Sequence, residues 1–190
     1  MLDPSLVSSL SQILDPDQVL WAAGDLDHYS GDALTPSRAF RAAALLEETA
    51  NLVVILQSTD QVVEVVKLAC QTGTPIVPYG GGTGVMGAAV PVRGGIVVDL
   101  KRMNKVLEVD VQSQTVQVEA GAILEGVNNT LYEHGLMLGH DPWSVPIATV
   151  GGAISTNGVG YRASVVGPMG AQVLGLEVVL PSGQVLTTPS

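Results

Sequence analysis

Two glycine-rich stretches, well apart and free of charge, hold the residues best suited to chemistry in this chain. The first is Pro78-Tyr79-Gly80-Gly81-Gly82-Thr83-Gly84-Val85-Met86-Gly87. The second is Ala148-Thr149-Val150-Gly151-Gly152-Ala153-Ile154-Ser155-Thr156-Asn157-Gly158-Val159-Gly160. No charged residue falls between Lys67 and Arg93, and none between Asp141 and Arg162. Glycine lets the backbone approach a ligand closely, and clustered N–H groups form a concavity for anions. Two such stretches with neighbouring hydroxyls point to one long polar ligand held by backbone and short side chains.

Residues 82–87 read literally as GxGxxG, the dinucleotide fingerprint of a strand–helix–strand unit. The spacing excludes that unit. A helical crossover needs at least ~10–12 residues, and only Ala88 to Gly95 remain, with one proline and two glycines among them. A Walker A loop is excluded as well, because no Lys-Ser/Thr pair follows the glycines. Taken alone, the motif is equally compatible with a tight turn that binds nothing.

The chain has 190 residues, 18 acidic and 8 basic, for a formal net charge of −10. Such a surface repels nucleic acid, so a phosphate here must be held locally by fixed backbone dipoles. No apolar run is long enough to span a bilayer. The start, Met1-Leu2-Asp3-Pro4, lacks the basic and apolar regions of a secretory signal, and cytoplasmic location is the expectation. The single cysteine, Cys70, cannot form an intrachain disulfide and reads as a buried structural thiol in an apolar helix. His28, His134 and His140 lack metal-ligand spacing. His134 falls at an expected helix C-terminus, and His140 reads as a polar loop residue.

The elements that position the two stretches follow from periodicity. Residues to about Leu34 suggest one short helix plus loops, and Pro36-Ser37 opens a helix to about Thr49. Leu52 to Gln57 is a buried strand. Ser58 and Gln61 signal a helix start, and Gly73 its end. Pro75 to Pro78 is a short strand into the first glycine stretch, and Ile96 to Leu100 is another. Val106–Asp110 and Thr115–Glu119 alternate as a hairpin. Ile123, Leu124, Val127 and Leu131 mark a helix ended by Gly135. Val173–Leu180 and Gln184–Leu186 form a last hairpin. The pattern implies an α+β unit of two subdomains with a seam near Lys101 to Lys105. Residues 1–50 lead into the main domain, residues 51–190. The abrupt finish at Thr188-Pro189-Ser190 reads as the end of a fragment, with exposed sheet edges and apolar surface that favour aggregation.

The combined pattern resembles the FAD-binding, PCMH-type domain of the p-cresol methylhydroxylase/vanillyl-alcohol oxidase flavoproteins. Within that family it is most similar to the FAD subunits of glycolate oxidase and the FAD-linked D-lactate dehydrogenases. The resemblance covers Leu52 to Leu186, with a weaker match at Tyr29 and Asp32. It rests on PIVPYGGGTGVMGAAVP, GGIVVDLKRMNKVLEVD, VEAGA, HDPWSVPIATVGGAISTNGVGYR and VLGLEVVLPSG in that order. It implies that Gly80, Gly81, Gly82, Thr83 and Gly84 cradle the FAD pyrophosphate, with Pro78 beside the nucleotide end. Asp141, Pro142, Thr149, Gly151, Gly152, Ser155 and Asn157 would line the flavin and its ribityl chain. Asp141 could instead open the turn at Pro142, and Ser155 could serve packing.

The chain departs from the family in two places. Tyr79 stands where Arg is frequent, and residues 166–171 replace a common Tyr-Gly and Arg-Asp pattern. Some relatives attach FAD through a histidine or cysteine in these stretches. Neither stretch here contains one, so non-covalent FAD is expected, with His140 the only nearby alternative.

By resemblance, the activity is oxidation of a small 2-hydroxy acid such as glycolate or D-lactate, with hydride passing to flavin N5. The catalytic base, and histidine metal ligands where relatives have them, would belong to a separate C-terminal substrate domain. No catalytic residue is named in this chain. Electron-transfer subunits are the expected partners, with neither nucleic acid nor a transmembrane segment. Two alternatives remain: a stand-alone flavin-binding or interaction subunit, and a same-fold flavin reductase.

Overall fold

The computed structural model describes residues 4–33 and 49–188. The helix expected to open at Pro36-Ser37 lies outside the described residues. The N-terminal segment is more structured than its sequence suggests. It contains helix α1 (Pro4–Ile13), a 3-10 turn (Pro16–Gln18), a two-residue strand β1 (Val19–Leu20) and helix α2 (Ala23–His28). Leu6, Leu10 and Leu14 recur every fourth residue, so α1 buries one stripe. Fully buried Gln18 fastens the segment down. Its amide nitrogen donates to the Ile55 carbonyl at 2.6 Å and to Gln61 Oε1 at 3.0 Å.

The first layer is a four-stranded sheet in the order β1-β2-β4-β3. Here β2 is Leu52–Ile55, β3 is Ile76–Tyr79 and β4 is Ile96–Asp99. Strand β1 is antiparallel to β2, and the other pairs are parallel, with Val53, Val97 and Val77 in register. Parallel strands covered on both faces read as continuous apolar runs, and side chains of alternate residues face opposite sides. Leu52, Val54, Leu56, Ile96 and Val98 pack with α1 and α3 (Thr59–Thr72). Val53, Val97 and Tyr79 pack on the other face with Tyr29.

Helix α3 begins as expected. Ser58 Oγ accepts from the Gln61 N–H at 3.3 Å, and Gly73 ends the helix at φ 65°. Cys70 corrects its expectation, because it is exposed. Val65 and Ala69 occupy the buried positions one turn apart, and a residue directly after Ala69 is rotated about 100° away from that stripe.

Strands β3 and β4 are joined by residues 80–95 without a helix, so the rejection of the Rossmann crossover holds. The core changes near the expected seam. Leu100 packs with the first sheet, whereas Val106 packs with a second cluster. That second unit has a hairpin, β5 (Val106–Asp110) and β6 (Thr115–Val118), and helix α4 (Leu124–Tyr132), which buries Leu124, Val127 and Leu131. Helices α5 (Val150–Ser155) and α6 (Ala163–Val166) follow, then a 3-10 turn (Met169–Gln172) and a hairpin of β7 (Glu177–Val179) and β8 (Val185–Thr187). The hairpin returns to the first unit, where Thr59 Oγ1 donates to Glu177 Oε1 at 2.7 Å.

Candidate functional site

The first glycine stretch leaves the carboxyl end of β3 and is half-buried from Gly80 to Gly84, while Pro78 is exposed. Among the described residues, the backbone N–H groups of Gly81, Gly82, Thr83 and Gly84 have no hydrogen-bond acceptor, and neither has the Thr83 hydroxyl. Buried backbone donors are nearly always paired. The run of four unpaired donors in this half-buried loop leaves them open to an acceptor from outside the described residues. Gly82 has φ 64°, and a Cβ there would overlap the Tyr79 hydroxyl.

Contacts from elsewhere in the fold hold this loop. Asp32 accepts from the Gly87 N–H at 2.9 Å, and the Ala33 N–H donates to the Gly84 carbonyl at 2.9 Å. The second stretch presses on it from the other side. A Cβ on Gly80 would overlap Thr149 Oγ1, and one on Gly81 would overlap the Ile147 carbonyl. These two glycines thus permit contact between the stretches, a need their sequence did not reveal.

The second stretch is of a different kind, a helical turn rather than a loop. Thr149 is buried and caps α5, accepting from the Gly152 N–H at 3.3 Å. The Val150 and Gly151 N–H groups donate to the Ala122 and Ala120 carbonyls, and the Ala153 N–H to Thr149. Ser155 Oγ donates to the Gly151 carbonyl at 2.8 Å. Asn157, at φ 47°, accepts from the Gly170 N–H at 2.9 Å. Both residues are exposed.

Asp141 and half-buried Pro142 precede this turn. The Asp141 carboxylate accepts from the Arg162 N–H at 2.8 Å and lies 3.2 Å from Arg162 Nε, which latches the far end of the stretch. His140 lies in a loop, as expected, but is only 2% exposed, and among the described residues its buried Nδ1 has no partner. Burial pushes its pKa below the ordinary histidine value, with Asp141 opposing.

Beneath the first loop lies a group the sequence did not single out as a unit. Asp99 ends β4 in register with Tyr79 and is buried. Its carboxylate accepts from the Tyr29 hydroxyl and from the Lys101 N–H at 2.7 Å, and Lys101 Nζ lies 3.2 Å away. Lys101 Nζ also sits 5.2 Å from the Tyr29 ring centre and 5.7 Å from that of Tyr79. Burial, reinforced by Asp99, raises the pKa of both phenols, and they remain neutral. One signal was available: an acidic residue closing the otherwise apolar run Ile96–Asp99.

A family model described as FAD binding domain matches residues 50–189. The chain belongs to this family. The D-2-hydroxyglutarate–pyruvate transhydrogenase of Saccharomyces cerevisiae is 32% identical over 98% of this chain and 36% of its own length. The glycolate oxidase subunit GlcD of Bacillus subtilis is 35% identical over 73% of this chain and 29% of its own. A solved alkyldihydroxyacetonephosphate synthase superposes with TM-score 0.87 at 28% identity, over 100% of this chain and 38% of that one. The chain spans about a third of the length of these relatives. This FAD-binding domain has the expected PCMH-type fold and is a domain of flavin oxidoreductases that use FAD. Among the described residues, no helix is long and apolar enough to cross a membrane.

Proposed function

We propose that this FAD-binding domain serves the oxidation of a small 2-hydroxy acid such as glycolate or D-lactate. The observation that carries the cofactor site is the run of unpaired N–H donors from Gly81 to Gly84. These donors, with the Thr83 hydroxyl, suit the oxygens of a pyrophosphate, and Gly80 and Pro78 border them. Asp141, Pro142, Thr149, Gly151, Gly152, Ser155 and Asn157 form the wall along the flavin side. In that wall the N–H groups of residues 150–153 are already used, so it contributes shape and contact more than donors. Bound FAD supplies an acceptor for the hydride on the substrate's α-carbon. This chain's residues hold the cofactor and contribute no base to that step. The FAD-binding unit on this reading is residues 51–190.

The 2-hydroxy-acid class is favoured by the kinship with the glycolate oxidase subunit and the D-2-hydroxyglutarate transhydrogenase. The superposition on alkyldihydroxyacetonephosphate synthase over the whole chain favours a second reading, in which the substrate is a phosphorylated ketone. Anaerobic addition of glycolate or D-lactate to the intact FAD-loaded protein separates the two. Bleaching of the flavin band supports the first reading, and no bleaching by any 2-hydroxy acid removes it. The cofactor is held without a covalent bond, because neither stretch contains His or Cys. Acid precipitation should leave a colourless pellet, and a yellow pellet would refute non-covalent attachment.

A further inference from the structure

The first glycine loop is a candidate anion site, yet it is built directly above a buried acid. Asp99 adjoins Tyr79 in the β3–β4 register, and the Tyr79 hydroxyl occupies the space a Cβ on Gly82 would need. All the partners that Asp99 finds are donors or a cation: Tyr29 Oη, the Lys101 N–H and Lys101 Nζ. An uncompensated carboxylate here would repel the very ligand the loop is shaped for, and burial leaves little water to screen it.

We infer that Lys101 is the residue that makes the first glycine loop fit for an anion, by neutralising Asp99 from beneath while packing over the rings of Tyr29 and Tyr79. This inference rests on the proposal that the loop holds the FAD pyrophosphate. Tyr79 occupies the position before the glycines, and the cation comes from the turn after β4, beside the Tyr29 and Tyr79 rings. Tyr29 fixes the second oxygen of Asp99, and Lys101 reaches the same carboxylate through both its backbone N–H and its ammonium. The ammonium, 3.2 Å from Asp99 with a side chain 35% exposed, is placed to offset the buried charge. Lys101 therefore acts on the ligand through Asp99, as a positioning and neutralising residue.

The test is a fluorescence titration of FAD against the wild type, Lys101→Met, Lys101→Arg, Asp99→Asn/Lys101→Met and Gly81→Val, at low and high salt. Lys101→Met should weaken binding by at least about tenfold, because it leaves a buried carboxylate unpaired. Raising salt should restore little of that affinity, because a buried charge is screened only weakly. Lys101→Arg should retain most of the affinity. The double variant, which removes both charges, should bind within about threefold of the wild type, a rescue that a purely structural role for Lys101 does not predict. If Lys101→Met alone does not fold, affinity lost in Asp99→Asn/Lys101→Met and retained in Lys101→Arg overturns the neutralising role. Lys101→Met binding like the wild type, or the double variant as weak as the single, overturns this inference alone. A wild type without saturable FAD binding, or Gly81→Val with full affinity, overturns the cofactor reading beneath it.

Discussion

The two glycine stretches look alike in sequence and do opposite things with their backbones. Residues 81–84 offer four N–H groups with no acceptor among the described residues. Residues 150–153 use theirs on Ala122, Ala120 and Thr149. The first is an open loop between parallel strands, and the second is a capped turn of helix. One stretch leaves its donors open, and the other spends its own within the fold. A glycine run therefore has no single meaning; the outcome depends on which acceptors the rest of the fold brings within reach.

The most severe way to break that contrast is to push the two stretches apart. Gly81→Val sets a side chain against the Ile147 carbonyl, which belongs to the backbone and cannot rotate aside. A loss of about 3 kcal/mol in urea unfolding is expected. Unchanged stability would show that the stretches do not press on each other. A double-mutant cycle sharpens the same contact. Thr149→Ala should cost about 1 kcal/mol as a lost cap, and Gly80→Ala should cost more because its Cβ meets Thr149 Oγ1. With that oxygen removed, the pair should cost less than the sum by about 1 kcal/mol. Strict additivity would separate the two residues.

His140, ahead of the second stretch, carries a pH dependence of its own. Folded His140 has a pKa below its ordinary 6.5, so the native state binds fewer protons than the unfolded chain just beneath that value. Stability should fall as pH drops through about 6.5 toward the depressed folded value, and should be unaffected above it. Melting temperatures at about pH 7 and about pH 5 should therefore diverge less in His140→Asn than in the wild type. Equal slopes would remove His140 as the cause. The smallest expected effect is a control on a glycine outside both stretches. Gly126 lies within α4 with open space where a Cβ would go, so Gly126→Ala should stabilise the chain by about 0.5 kcal/mol. Destabilisation there would mean that glycine sensitivity is general rather than confined to the two stretches.

Much of the architecture could be read from one sequence because its signals are local. The alternating apolar residues of Val106–Asp110 and Thr115–Val118, the Ser58 cap and the Gly73 stop depend on neighbours within a few residues. Cys70 was misread, and the burial of His140 missed, for the same reason. Cys70 sits in an apolar pattern but is rotated off the buried stripe set by Val65 and Ala69. His140 is a polar type in a polar loop, yet other segments close over it until 2% remains exposed.

For the site itself, the resemblance carried by five motifs in order pointed to the family and to FAD, and chain length counted along the sequence excluded a Rossmann crossover. Only the tertiary structure decided which backbone donors stay unpaired and which acid lies beneath the loop. It also decided that Gly80 and Gly81 answer to Thr149 and Ile147, more than sixty residues away. Hydrogen-bond acceptors, burial and charge pairing are properties of positions in space, and no spacing along the chain fixes them until the sheet and the second unit close around the loop.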